Sequence, residues 1–186
     1  VHDVKGFGLG LDYVNKIVLK NFEDRYSDKW SLSSRNQLLA TAYSKSEIYK
    51  KLNINPNKKT GVIFSHILYD LIYSYGKDVY GNYFNWLGNT MQIVSKLKNS
   101  QWLIKVHPSN FWRNEINDKL QGKYEEEKVL KNFIGKNLPD NIQLISHETD
   151  ILPYELMKIG DACITIRGTA AIEMATMGKI VISAGT

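Results

Sequence analysis

The sequence predicts an α/β domain of the Rossmann-like, doubly wound type, with a mainly parallel sheet of about five strands and helices on both faces. Short runs rich in β-branched residues alternate with stretches of helical periodicity from residue 61 onwards. The stretch 161–186 reads as strand, turn, helix and strand, which is a compact βαβ unit. Polar residues follow the predicted strands, as expected where a sheet of this type binds a ligand.

Composition is that of one folded domain. The chain has 186 residues, of which 43% are hydrophobic. Its apolar runs are too short for a transmembrane helix and its start lacks the features of a signal peptide, so we expect a cytoplasmic protein. The single Cys163 falls in a predicted core strand and suits a small buried hydrophobe better than a nucleophile.

The formal net charge of +5 comes from the leading part of the chain. Residues 1–59 hold 11 Lys and Arg against 6 Asp and Glu, which supplies the whole excess. Such a segment suits an anionic surface, so peripheral association with the inner face of the membrane is one expectation. The charges are scattered, however, which favours ordinary solubility over nucleic-acid binding, and no nucleic-acid partner is expected.

The chain is expected to have two parts. Residues 1–58 are predicted to form a helical leading segment and linker, and residues 59–186 the Rossmann-like domain. Helical spacing of apolar residues favours helices over 11–22 and 31–52, and the Asn- and Lys-rich stretch 53–60 reads as the linker. The missing initiator Met, and an end directly after a predicted strand, lead us to expect a fragment of a longer protein.

The first half of the domain contains two predicted strands. The run 62–64 begins after Gly61 and ends at a Ser-His pair, as a buried first strand would. An aromatic loop or short helix follows over 67–77, and helical spacing predicts an amphipathic helix over 80–97. The second strand is predicted over 102–106 and ends at a His-Pro pair. The residue before the proline favours extended backbone, which is consistent with its place at a strand end.

The alternation continues in the second half. A Lys- and Glu-rich helix is predicted over 124–136, and a Pro-Asp-Asn turn separates it from the third strand, 142–145. The next helix, 153–159, is short and has proline near its first position, where a missing N–H costs nothing.

The final βαβ unit contains the first candidate site. Its strands are 161–166 and 179–183, and good helix formers fill 170–177 between them. Thr169 is the predicted N-cap of that helix. The turn directs unpaired backbone N–H groups and the positive end of the helix dipole at one point, and Arg167 stands beside it. We therefore predict an anion site, most simply for phosphate.

Residues at the ends of the other strands are candidates for the same reason. The full set is Ser65 and His66, then Lys105, His107 and Pro108, then Ser146, His147 and Glu148, and finally Thr165, Arg167, Gly168 and Thr169. His107 suits donation to a phosphate or sugar oxygen, although taken alone a loop histidine satisfied by backbone is the simpler interpretation. Period-2 alternation places Lys105 on the same side as His107, where it either adds charge or caps an exposed face.

Two acidic residues complete the candidates. Glu173 lies one turn into the last helix, in an apolar row that begins at Ala170, where a carboxylate needs a cleft or partners. It would accept the ribose hydroxyls of a nucleotide whose phosphate lies at the helix start; an exposed helix face is the alternative. Asp70, four residues after His66, suits a general base, an N-cap or a surface role. The histidines lack metal-binding spacing, so no metal is expected.

Several short motifs occur together in a recognisable order. They are Phe64-Ser65-His66 with Asp70, Trp86-Leu87, Lys105-Val106-His107-Pro108, Asp161 to Thr165, and Gly168-Thr169 with Glu173 and Gly178-Lys179. This set, over roughly residues 44–186, resembles bacterial capsular polysaccharide biosynthesis glycosyltransferases. Those proteins are similar to Kdo transferases and share the GT-B architecture of two Rossmann-like domains with the donor between them.

The resemblance implies that this chain is mostly the C-terminal, donor-binding half. His107 and Pro108 would then contact the nucleotide phosphate, Gly168 and Thr169 would hold phosphate at the helix start, and Glu173 would bind the ribose. The substrate-binding set is Ser65, Lys105, His107, Pro108, Thr165, Arg167, Gly168, Thr169, Ala170 and Glu173, and the catalytic candidates are His66, Asp70 and His107. Relatives often carry Ser-Thr or Ser-Ser where this chain has Arg167-Gly168, and an arginine there favours a diphosphate or an acidic sugar.

The function implied is an inverting, metal-independent glycosyltransferase of surface polysaccharide synthesis. Its donor would be a nucleotide sugar, with CMP- and UDP-linked sugars as candidates and no cofactor, and its acceptor a glycan or a lipid-linked glycan. An N-terminal acceptor-binding domain, absent from this chain, would complete the enzyme, and the fragment alone would bind donor without turning it over. The alternatives are a sugar-nucleotide 2-epimerase, with Asp70, Glu148 and Glu173 as its only acid and base candidates, and a non-catalytic nucleotide-sugar-binding module.

Overall fold

The computed structural model describes residues 16, 20, 43–69, 79–110 and 124–185. The chain divides into two compact units, 1–40 and 41–186, and the sheet with its helices belongs to the second. The helix predicted over 11–22, apart from residues 16 and 20, lies outside the described residues, as does the part of the helix predicted over 31–52 that precedes Tyr43.

The second unit is built on a five-stranded sheet with the order β3-β2-β1-β4-β5. Its strands are β1 Lys59–Phe64, β2 Ser100–Lys105, β3 Ile142–Ile145, β4 Ala162–Thr165 and β5 Ile180–Ser183. All four pairings are parallel. The chain runs outward from β1 to β3, then returns to the other side of β1 for β4 and β5. This confirms the predicted Rossmann-like, doubly wound sheet.

Helices connect the strands. They are α1 Lys45–Lys51, α2 Tyr83–Val94, α3 Glu125–Phe133, α4 Pro153–Ile159 and α5 Thr169–Thr176. Helix α2 begins later than the pattern predicts, because Asn82 caps it by accepting the Asn85 N–H at 2.7 Å. Helix α3 ends before residue 136, since Gly135 has a φ of 118° that takes the backbone out of the helix. None of the described helices is long and apolar enough to cross a membrane.

Both faces of the sheet carry an apolar core. On one face, Ile63 and Ile104 pack with Trp86 and Leu87 of α2 and with Val129 of α3. The opposite face contacts α1, α4 and α5 through Val62, Leu103 and the buried Cys163, which pack with Ile48, Leu156 and Met174. Alternate residues of each strand therefore enter opposite cores, as the near-continuous apolar strands predict.

Gly61 in the central strand β1 is needed for close packing. A Cβ added there would lie 2.2 Å from the Trp102 ring, which is much closer than real Cβ contacts. Because Gly61 and Trp102 are register partners in adjacent strands, the indole packs directly over the glycine backbone. The Trp102 ring thus fills the space that a side chain at residue 61 would occupy.

Helix α1 begins with a capping box formed by Ser44 and Glu47. The Glu47 N–H donates to Ser44 Oγ at 3.4 Å, and the Ser44 N–H donates to Glu47 Oε2 at 2.8 Å. Ile48 in this helix is buried against the sheet. Helix α1 therefore packs on the sheet and belongs to the unit 41–186.

Candidate functional site

The carboxyl ends of β1 and β4 form the topological switch point of the sheet. Strand β1 pairs with β4, yet β2 and β3 precede β4 in the chain. The segments after β1 and β4 therefore leave the sheet in opposite directions and open a crevice between them, where sheets of this type bind ligands. His66 follows β1, and Arg167 and Gly168 follow β4, so the sequence candidates lie at this point.

His66 and Gly168 approach each other across the switch point. A Cβ built on Gly168 would lie 3.9 Å from His66 Cδ2. The His66 backbone has a φ of 62°, which is uncommon for a residue with a side chain. Its ring makes an edge-to-face contact with the ring of buried Tyr83, with 5.0 Å between centroids. The imidazole is therefore held beside the start of α5.

The start of α5 differs from the prediction by one residue. Gly168, and not Thr169, is the N-cap, and Thr169 is the first helical residue. Gly168 has φ 109° and ψ 171°, a backbone conformation that residues with a Cβ rarely adopt, so the N-cap prediction for Thr169 was wrong. Gly168 and Thr169 are exposed, and Ala170 is half-buried against the core below α5. The backbone N–H groups of this first turn thus lie at an exposed helix end that follows β4.

Thr165 and Arg167 shape the turn before α5. The buried Thr165 Oγ1 donates to the Arg167 carbonyl at 2.9 Å, which fixes the turn rather than offering a hydroxyl to a ligand. Arg167 lies against the residues that follow β5: a Cβ on Gly185 would come within 2.6 Å of Arg167 Cγ. The missing side chain at Gly185 therefore makes room for the aliphatic stem of Arg167.

His107 and Pro108 lie at the end of β2, next to the end of β1. The His107 N–H donates to Ser65 Oγ at 3.2 Å, so the two strand ends are directly connected. His107 Nδ1 accepts the Ser109 N–H at 3.2 Å, which places the proton of the neutral ring on Nε2. Pro108 is exposed and starts a helical turn that reaches Asn110. His107 is therefore oriented by its own loop, with Nε2 as the donating atom.

Lys105 is buried rather than at an exposed face. Only 9% of it is exposed, and its Nζ donates to the Ser146 carbonyl at 2.7 Å. Burial lowers the pKa of Lys105 to about 8, and the nearby Glu126 charge opposes this shift. Lys105 thus connects the ends of β2 and β3, and its charge is sensitive to any anion that comes close.

The remaining candidates have different environments. Tyr124 Oη contacts Ser146 Oγ at 2.7 Å and His147 Nδ1 at 3.0 Å, which forms a polar group at the end of β3, whereas Glu148 is exposed.

Glu173 is only 2% exposed, so the alternative of an exposed helix face does not hold. Asp70 lies outside the described residues, which contain no group of three His, Cys, Asp or Glu side chains suited to a metal ion.

Two residues of the site were not among the candidates. Glu126, in α3, is fully buried and accepts from Ser65 Oγ at 2.6 Å and from Asn110 Nδ2 at 2.5 Å. Asn110 is also fully buried. The available signal was helical spacing, since Glu126 precedes the buried Val129 and Leu130 by three and four residues and so shares their face.

Comparison with solved structures finds proteins with a similar fold. The chain is similar to KpsC, a β-Kdo 2,4-transferase from Thermosulfurimonas dismutans, with a TM-score of 0.54 and 16% sequence identity, over 98% of this chain and 47% of that one. A UDP-GlcNAc 2-epimerase from Neisseria meningitidis, bound to UDP-GlcNAc, gives a TM-score of 0.45 and 14% identity over 92% of this chain and 35% of that one. No protein-family model and no curated protein sequence matches the chain. The predicted likeness to Kdo-transferase-like proteins is confirmed at the level of the fold.

The pKa of Lys105 makes the stability of the protein depend on pH. Because the pKa falls from its ordinary 10.5 to about 8 on folding, Lys105 binds more protons in the unfolded chain between these values, and its contribution to stability rises with pH across that window. We expect Lys105→Met to remove this rise. Below pH 8, the free energy of unfolding of the variant should exceed that of wild type by on the order of 3 kcal/mol, reduced by the lost hydrogen bond to Ser146. Near pH 10.5 the difference should be smaller, because Lys105 is then neutral in the folded protein.

Urea unfolding of both proteins at several pH values between 7 and 10.5 measures this difference. Lys98→Met, at an exposed lysine, is the control and should show no pH-dependent difference from wild type. A stability difference for Lys105→Met that stays constant with pH would contradict the lowered pKa.

Proposed function

We propose that this chain is the donor-binding half of a GT-B glycosyltransferase of bacterial surface polysaccharide synthesis. It would bind a nucleotide-activated sugar for transfer to a glycan or a lipid-linked glycan acceptor. The observation that carries the proposal is the approach of the His66 ring to Gly168 at the switch point, beside the N-terminus of α5. A phosphate there would lie at the backbone N–H groups of the first helical turn and at the positive end of the helix dipole. The fold shared with a Kdo transferase supports the same proposal.

The proposed role of the site is to stabilise the leaving nucleotide. Transfer breaks the bond between the anomeric carbon and a phosphate oxygen, and negative charge grows on that phosphate. The N-terminus of α5, the Arg167 guanidinium and the Nε2–H of His107 would stabilise this charge, with His66 at the same crevice. The acceptor hydroxyl attacks from the opposite side, which inverts the configuration, and a base on a separate acceptor-binding domain takes its proton.

The proposal also defines the setting of the protein. The donor is a substrate, and CMP- and UDP-linked sugars are the candidates for it. Stabilisation by helix dipole and basic side chains supplies the charge that a metal would supply in other transferases, so binding without magnesium is expected. A cytoplasmic site, with peripheral association at the inner face of the membrane, would bring the enzyme to a lipid-linked acceptor.

Nucleotide binding tests the proposal. We expect one of CMP, CDP, UDP and GDP to bind to the purified chain in calorimetry without magnesium. Arg167→Gln should lower the affinity for that nucleotide by about tenfold, because a charge-assisted hydrogen bond to phosphate is lost. The affinity for the corresponding nucleoside should stay the same.

Lys98→Gln removes one positive charge from an exposed site and serves as the control for net charge. Equal losses for nucleotide and nucleoside in Arg167→Gln would mean that Arg167 does not contact phosphate. Absence of binding by all four nucleotides and their sugar conjugates would contradict the proposed donor site.

The ribose role of Glu173 has its own test. A carboxylate that accepts the ribose hydroxyls makes the wild-type protein prefer a ribonucleotide over its 2′-deoxy form by about tenfold. We expect Glu173→Gln, which keeps the shape of the side chain, to reduce this preference. Titration of both nucleotides into both proteins gives the ratio. An unchanged ratio, with weaker binding of both nucleotides, would assign the buried Glu173 to holding α5 in place instead.

A further inference from the structure

Glu126 is a buried carboxylate that joins two strand ends, and the proposed reaction does not use it. Its Oε1 atom accepts from Ser65 Oγ at 2.6 Å, from Asn110 Nδ2 at 2.5 Å and from the His107 N–H at 3.3 Å. Ser65 follows β1, whereas His107 and Asn110 follow β2. A single oxygen on α3 therefore holds the ends of two neighbouring strands together.

Packing alone does not favour a carboxylate at this place. Glu126 is fully buried, and within the described part of the chain its Oε2 atom has no hydrogen-bond partner. Burial raises the pKa of Glu126, while the hydrogen bonds from Ser65, Asn110 and His107 lower it. An apolar side chain of similar size would avoid this desolvation cost but would leave the donors of Ser65, Asn110 and His107 without their acceptor, so the carboxylate serves the polar ends of the two strands rather than the apolar core.

Asn110 extends the same connection to His66. Its Nδ2 atom donates to the His66 carbonyl at 3.0 Å, and its Oδ1 atom accepts the Leu68 N–H at 3.2 Å. These two bonds fix the backbone that directly follows the left-handed φ of 62° at His66. Such a conformation persists only where surrounding contacts enforce it, and Asn110, itself held by Glu126, supplies them.

We propose that Glu126 is a positioning residue, whose carboxylate fixes the backbone of both His66 and His107 and thereby the direction of their rings at the donor site. Glu126 does not touch the donor. That these rings serve a donor site rests on the proposed function, but the effect of Glu126 on the two rings can be tested in the protein without nucleotide. The positioning role and the proposed function can therefore fail separately.

The first measurement is NMR of the histidine ring signals in the free chain. Glu126→Ala removes the acceptor of all three hydrogen bonds, so we expect the assigned ring signals of His66 and His107 to shift. Glu126→Gln keeps an oxygen acceptor and should shift them less. Glu127→Gln changes the adjacent, half-buried glutamate of the same helix and should leave both signals in place.

The second measurement is affinity for whichever of CMP, CDP, UDP and GDP the wild-type chain binds. We expect Glu126→Ala to weaken it by about tenfold or more and Glu127→Gln to leave it unchanged. If Glu126→Ala does not fold, Asn110→Ala replaces it; that variant breaks the connection to His66 alone, and should shift the His66 signal more than the His107 signal.

Unchanged signals and unchanged affinity in a folded Glu126→Ala protein would overturn the proposal. Lost affinity with unmoved histidine signals would overturn it as well, because Glu126 would then act on the donor directly. Equal shifts of both signals in Asn110→Ala would contradict the separate route to His66. Shifted signals in a protein whose wild type binds no nucleotide would uphold the positioning role and remove the proposed function.

Discussion

Strand β1 lies at the centre of the sheet and pairs in parallel with β2 on one side and with β4 on the other. Parallel pairing brings the carboxyl ends of all three strands to one edge, so segments far apart in the sequence must meet there. The proximity of His66 to Gly168, and of Ser65 to His107, depends on this constraint. Both apolar cores depend on it too, because the connections that parallel strands require place helices on the two faces.

The edge of the sheet is polar at a cost to stability. Glu126, Lys105 and Glu173 are buried near the ends of the strands or in the helices that follow them. Burial raises the pKa of Glu126 and lowers that of Lys105, so folding opposes the charged form of each. The apolar cores on both faces offset this cost. In return, the positive charge of Lys105 at a water-poor edge would attract a bound anion more strongly than the charge of an exposed lysine does.

Much of this fold is predictable because short β-branched runs and 3.6-residue periodicity alternate so regularly, and the parallel sheet then locates the candidate residues. The features that could not be predicted depend on contacts between elements that are distant in the sequence. Glu126 lies in a Lys- and Glu-rich helix, and only its spacing to Val129 and Leu130 indicates a buried position. The burial of Lys105 depends on the neighbouring β3 segment. The N-cap at Gly168 depends on a backbone angle that no residue pattern near it specifies.

The proposed function requires a nucleotide phosphate to bind between the ends of β1 and β4. Backbone amide NMR of the isotope-labelled chain, titrated with CMP and UDP without magnesium, tests it most directly. We expect the largest shifts at His66, at His107 and in the first turn of α5, from Gly168 to Ala170. Shifts confined to the opposite, amino-terminal edge of the sheet, or no shifts at millimolar nucleotide, would contradict it.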